Sequence, residues 1–212
     1  MEGALVTVRL AIVSMLIGFI FGLPLAFGQV YGNRFIKRII SIYERIARSI
    51  PLLVILFLIF YGLPRMGIRL PEFLAAVLAL GLRSAAYQSQ IYRGAIQSVS
   101  ASQMRAALSM GMKKFTAFFY VILPQAVRIA IPPIGNESAI LLKDTSVVYA
   151  IGMSELLRQG FYIFTNNGEA TTILLAVAFI YYILTMVINK LLSLFEKKYK
   201  IPGIGIEVGV NE

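Results

Sequence analysis

Residues Ser98 to Lys114 read Ser-Val-Ser-Ala-Ser-Gln-Met-Arg-Ala-Ala-Leu-Ser-Met-Gly-Met-Lys-Lys. This polar stretch stands between two long, mostly apolar segments, and that position decides the fold. Its Ala, Gln, Met, Arg and Leu residues favour helix, and Gly111 supplies a stop. No acid occurs between Arg93 and Arg128. A basic helical break between two membrane spans belongs on the cytoplasmic side. A helix there is either a docking surface for a soluble partner or a contact for anionic lipid headgroups. Charge alone does not separate the two.

Working outward, five apolar segments are expected to cross a bilayer, at 3–30, 50–63, 73–99, 125–148 and 171–194. Each crossing needs roughly 20 apolar residues. The second is short for a full crossing, and its start is open to the basic segment before it. Gly18 and Gly22 in the first lie four apart, a spacing that lets helices approach closely in lipid. The region 101–124 forms the polar break, with a short helical piece at 115–123 expected to end at Pro124. Pro132 and Pro133 are expected to interrupt the fourth span just before Asn136 and so free backbone carbonyls. Most Lys and Arg residues follow spans one, three and five. By the positive-inside rule the N-terminus is outside and the C-terminus, with its tail 201–212, is cytoplasmic.

Composition agrees with a membrane protein. Of 212 residues, 58% are hydrophobic, above the 45–50% of soluble domains, and the mean hydropathy is +0.80. The net charge is +10, with 20 Lys and Arg against 10 Asp and Glu. In a membrane chain that excess reports topology, so no nucleic acid partner is inferred. The absence of Cys and His excludes disulfides, Cys-based redox or metal sites and histidine catalysis; no metal site is expected. The first apolar run lacks a basic leader and is long enough to stay in the bilayer, so no cleavable signal is expected. No Gly-x-x-x-x-Gly-Lys-Ser/Thr loop is present, so the chain does not cradle ATP phosphates itself.

Several motifs resemble one family. Gln103-Met104-Arg105-Ala106-Ala107-Leu108-Ser109-Met110-Gly111, followed by Ile122-Leu123-Pro124, resembles the "EAA" signature of ABC importer permeases. Tyr43 to Val54, with Arg48-Ser49-Ile50-Pro51-Leu52-Leu53-Val54, resembles that family's "Arg-Gly-Thr-Pro-Leu-Leu-Val". Ala85-Ala86-Tyr87-Gln88-Ser89-Gln90-Ile91-Tyr92-Arg93-Gly94 resembles "Ala-Ala-Tyr-x-x-Glu-x-x-Arg-Gly", with Gln90 where many members carry Glu. The run Pro132-Pro133, Asn136-Glu137 and Leu141-Leu142-Lys143-Asp144-Thr145-Ser146 is similar to the distinctive block of the polar amino acid subfamily.

The resemblance implies an all-α membrane protein, a five-span type I ABC importer permease bundle with cytoplasmic coupling helices. It implies that Gln103, Arg105, Ala106, Ala107, Gly111, Leu123 and Pro124 belong to the segment that docks in a cleft on a separate ATPase. Arg105 stands where the family has Glu, so the family's ion pair there does not carry over. The implied partners are a dimer of ATP-binding cassette subunits, which hold ATP and Mg, a second permease copy or homologue, an extracytoplasmic amino acid binding protein, and the lipid of a prokaryotic inner membrane. No cofactor is expected in this chain.

Ionisable residues inside a span are costly and mark a pathway or a pair. Arg83, Glu137, Lys143 and Asp144 are the candidates. An amino acid carries both charge signs, so acids and bases together can hold it; equally, they can neutralise one another. Glu137 and Asp144 share a helix face at seven-residue spacing. By the resemblance, a pocket in the membrane subunit lies in this region, which adds Asn136 and Leu141, gives Glu137 the amino group or a cationic side chain, and gives Arg83 and Lys143 the carboxylate. The function so expected is ATP-driven import of polar amino acids, with Glu137 tilting toward cationic ones. The alternatives are an ion-coupled secondary amino acid transporter, which leaves 103–124 without a role, and a membrane scaffold that transports nothing.

Overall fold

The computed structural model describes residues 2–199; the tail 201–212 lies outside the described residues. All regular structure in that range is helical. The helices are α1 (Glu2–Tyr31), α2 (Arg34–Ser49), α3 (Leu52–Phe57), α4 (Glu72–Ser98), α5 (Ala101–Ser109), α6 (Lys114–Ala117), α7 (Leu123–Asp144), α8 (Leu156–Asn167) and α9 (Ala170–Tyr199).

Three stretches among the described residues are long and apolar enough to cross a membrane: Glu2–Tyr31, Lys114–Ile151 and Ala170–Lys197. A fourth arises if α2 and the segment Leu52–Met66 are taken as one, but these two are bent by 104°. The bend follows from the sequence. Ile50 precedes Pro51, whose ring disfavours helical backbone at the preceding residue, and Ile50 is extended at φ −84°, ψ 132°.

The 27-residue α4 has the length to cross but is diluted by polar side chains. It is packed between α1 and α7, so Ser84, Gln88 and Ser89 are buried in protein. α1 and α4 run side by side in the same direction. Ile17 meets Gly81, and Gly22 meets Ala85, Gln88 and Ser89. The missing side chains at Gly18 and Gly22 make this approach possible: a Cβ on Gly22 would stand 2.9 Å from Gln88 Cβ.

Two sequence expectations about proline are corrected. Pro124 does not end a helix, because the backbone widens into a π-helical turn at Phe118–Ile122 and continues into α7. That turn absorbs the hydrogen bond proline cannot donate. Pro132 and Pro133 lie inside α7 without breaking it; they remove the bonds that the carbonyls of Arg128 and Ile129 would have accepted. The helical run Lys114–Ile151 has 38 residues, roughly 57 Å against a hydrocarbon layer of about 30 Å. Its ends therefore extend beyond the apolar layer.

The bundle has two distinct ends. At one, Phe27 and Tyr31 of α1 pack on Phe118, with ring centroids 4.7 and 5.4 Å apart. The α5–α6 hairpin sits at this end. At the other, the buried Glu155 caps α8, accepting from the backbone N–H groups of Leu157 at 2.8 Å and Arg158 at 2.7 Å. It also accepts from the Tyr181 hydroxyl at 2.8 Å. Thr7 of α1 accepts from Leu156 N–H at 3.2 Å, which ties α1 and α9 to the cap of α8.

Candidate functional site

Arg83 of α4 and Asp144 at the end of α7 form the one salt bridge among the described residues, through Arg83 Nη1 and Asp144 Oδ2. The Arg83 Nε is buried with no partner among those residues. Glu137, almost two turns before Asp144 on α7, is buried and accepts from Ser84 Oγ at 3.3 Å. Behind Ser84 runs a buried relay: Tyr92 Oη donates to Gln88 Oε1 at 3.1 Å, and Gln88 Nε2 donates to Ser84 Oγ at 3.1 Å. Gln88 Nε2 also reaches the Met15 carbonyl of α1 at 3.2 Å. One carboxylate, Glu137, thus accepts from a neutral donor, Ser84, backed by a relay that reaches α1, while a second is paired with a guanidinium.

Tyr87 adds an aromatic face. Its ring lies under two guanidinium groups, that of Arg48 at 5.0 Å and that of Arg83 at 5.2 Å, within the range of cation–π attraction. Arg48, Ser84 and Tyr87 were absent from the expected set. Ser84 and Gln88 stand four apart, next to Arg83 on one helix, a legible polar stripe. The approach of Arg48 is a contact of α2 with α4 between residues far apart in sequence and has no local signal.

The expected residues divide. Arg83, Glu137 and Asp144 converge. Leu141 is buried in the apolar core with Leu80 and Val148. Lys143 is exposed and turned from the pair. Asn136 is exposed on another face of α7, where it lines a groove with Asn189, Ser193 and Glu196. The helical register explains the split, since Asn136 and Lys143 are each one residue from a converging carboxylate and so rotated by about 100°.

The polar hairpin has a defined shape. Ser100 caps α5, its Oγ accepting from Ser102 N–H at 3.3 Å. At the other end Met112 N–H donates to Ala107 O at 3.1 Å and Gly111 N–H to Leu108 O at 3.0 Å. This is a Schellman stop, and Gly111 has φ +82°, a conformation side chains oppose. Gln103, Arg105, Ala106 and Gly111 are exposed, Ala107 is buried, Leu123 is half-buried and Pro124 is exposed.

Comparison with known proteins gives this geometry its context. Residues 14–201 match the family described as "binding-protein-dependent transport system inner membrane component". The chain is 38% identical to the probable amino-acid permease protein YxeN of Bacillus subtilis (strain 168), over 93% of this chain and 89% of that one. It is 34% identical to the glutamine transport system permease protein GlnP of Escherichia coli (strain K12), over 94% and 92%. Among solved structures it is similar to that titled "Crystal structure of an amino acid ABC transporter with histidines", with TM-score 0.85 and 38% identity over 93% and 92% of the two chains. The similarity covers the bundle and the hairpin together and leaves the ion-coupled alternative without support. The chain belongs to the family of binding-protein-dependent transport system inner membrane components.

Proposed function

We propose that this chain is the membrane-spanning subunit of an ABC importer for polar amino acids, paired with a second permease copy or homologue. The observation that carries this reading is the exposed α5 hairpin, closed by the left-handed Gly111, on one end of a bundle whose other end holds α8. Such a rigid elbow can transmit the motion of a soluble ATPase dimer that binds ATP and Mg. The relatives' names, an amino-acid and a glutamine permease among them, support the substrate class.

The chain crosses the membrane five times in this reading, as α1, the segment after the bend through Met66, α4, α7 and α9. The N-terminus is outside and the C-terminus cytoplasmic, in a prokaryotic inner membrane. The basic residues Arg34, Lys37, Arg38, Lys113 and Lys114, near the hairpin end, favour that orientation. A binding protein delivers the amino acid to the α8 end.

The substrate rests near Arg83, Glu137 and Asp144. Its carboxylate meets the unpartnered Arg83 Nε, and its amino group or cationic side chain meets Glu137. Asn136, Leu141 and Lys143 are outside this inner set. Reconstitution with the cognate ATPase and binding protein, followed by uptake of a labelled amino-acid panel, tests the reading. ATP-dependent uptake of a polar amino acid is expected; uptake that proceeds without the ATPase would overturn it.

A further inference from the structure

α2 presents three faces. Ile40, Glu44 and Ala47 are buried. Glu44, the only acid of α2, is consumed there, accepting from Ser89 Oγ at 2.6 Å, from Gln29 Nε2 at 3.1 Å and from Gln90 Nε2. On an ideal helix Arg34, Lys37, Arg38 and Arg45 fall in one sector of about 100°, with no acid among them. The neighbouring sector holds Phe35, Ile39, Ile42 and Ile46, exposed at 71, 51, 50 and 53%.

The cations gain another at the same corner. Lys114 of α6 sits over the Tyr31 ring at 5.1 Å, and Tyr31 is three residues from Arg34. An apolar stripe flanked by cations, on a helix that leaves a membrane span and then turns by 104°, is the pattern of a helix seated between acyl chains and phosphate headgroups.

We propose that α2 and Lys114 form an anionic-phospholipid site, in which Arg34, Lys37 and Arg38 hold the headgroup and Phe35 with Ile39 contacts the acyl chains. Arg48 is excluded, because it is engaged over Tyr87. The inference rests on the orientation proposed above only in assigning the lipid to the inner leaflet; the corner itself is independent of it. Charge favours phospholipid over a second copy of the chain: each copy carries +10, and Arg34, Lys37 and Arg38 have no acidic partner among the described residues.

The experiment measures phosphatidylglycerol retained by the intact complex after extraction from vesicles of phosphatidylcholine mixed with phosphatidylglycerol. The triple variant Arg34→Gln, Lys37→Gln, Arg38→Gln is expected to lose at least roughly tenfold in retention, since each cation near an anionic surface contributes substantially. Arg34→Lys with Arg38→Lys should retain lipid, which guards against a folding defect. Arg65→Gln with Arg69→Gln, at the opposite end, should be unchanged. Equal retention by the triple variant and the parent overturns the proposal. So does a triple variant that keeps its lipid but loses its permease or ATPase partner, because the stripe is then a protein interface. Failure of ATP-driven uptake with lipid retention intact would strike the transport reading alone.

Discussion

Arg83 and Asp144 join α4 to α7 through a single ion pair whose side chains remain 23% and 27% exposed. The pair sits at the junction of the two helices that carry Ser84 and Glu137. Breaking a fully buried pair costs about 3–5 kcal/mol; partial exposure should reduce this to about 1–3 kcal/mol. Asp144→Asn and Arg83→Gln should each lower the midpoint of thermal unfolding, and the double variant should lose less than the sum. Strict additivity would show that the two side chains do not support each other.

Glu137 makes the sharper test of the proposed substrate site. Glu137→Gln preserves size and can still accept from Ser84, but it removes the negative charge. Loss of one charge-assisted contact should raise the KM for a cationic amino acid about tenfold or more, while a neutral one changes less. The measurement is uptake in proteoliposomes with saturating binding protein. Unchanged uptake of arginine and lysine would remove Glu137 from the binding set.

How much of this was legible before the structure depended on the range of each interaction. The apolar runs gave α1, α7 and α9, because burial in lipid is read from local composition. The Ala106-Ala107 pair and Gly111 announced the α5 stop, since a left-handed backbone is a local demand for glycine. The prolines misled: Pro124, Pro132 and Pro133 each predicted a break, yet the helix runs on, through a π-helical turn before Pro124 and with the Arg128 and Ile129 carbonyls deprived of their helical donors. The convergence of Arg48 on Tyr87 was invisible, because it is a tertiary contact between α2 and α4 with no local pattern behind it. Spacing singled out Glu137 with Asp144, and the same register put Lys143 about 100° off their face, where the structure leaves it exposed.

The contact of α1 with α4 predicts a steep dependence on glycine. Gly22→Leu must push a side chain into space where even a Cβ would lie 2.9 Å from Gln88 and 3.2 Å from the Ser89 backbone nitrogen. Overpacking of this kind costs about 1–3 kcal/mol, and here it would also disturb the relay from Tyr92 to Glu137. Reduced recovery of folded protein in detergent is expected. Gly94→Ala, at a position with nothing among the described residues within 4 Å of the added atom, should behave as the parent. Equal behaviour of both variants would deny the tight α1–α4 approach.

Glu155 predicts a pH dependence at the α8 end. Burial raises its carboxyl pKa, while the N–H groups of Leu157 and Arg158 and the Tyr181 hydroxyl pull the other way without cancelling it. A raised acid favours the fold while protonated. Its contribution is therefore full below the ordinary glutamate range near pH 4 and is lost as pH rises through the raised value. The stability of the parent should fall relative to Glu155→Gln over that window, even though the variant starts lower by about 1 kcal/mol for a weakened cap. Parallel curves for thermal unfolding against pH would exclude this account.

Gly111 separates backbone shape from surface contact in the proposed coupling elbow. A Cβ added there meets nothing within 4 Å among the described residues, so substitution acts through φ +82° or through a partner. Gly111→Ala should cost about 1–2 kcal/mol for the left-handed conformation. Gly111→Val should cost more and unwind the Met112–Ala107 and Gly111–Leu108 bonds. Gly111→Asn should cost less, because asparagine tolerates that conformation. If the elbow docks on an ATPase by its shape, pull-down of the ATPase should fall in the order Gly, Asn, Ala, Val, following backbone strain and not side-chain volume, since Asn is larger than Ala. A decline that instead tracks volume would mean that position 111 touches the partner directly, and a complex that survives Gly111→Val intact would argue that the elbow does not dock at all.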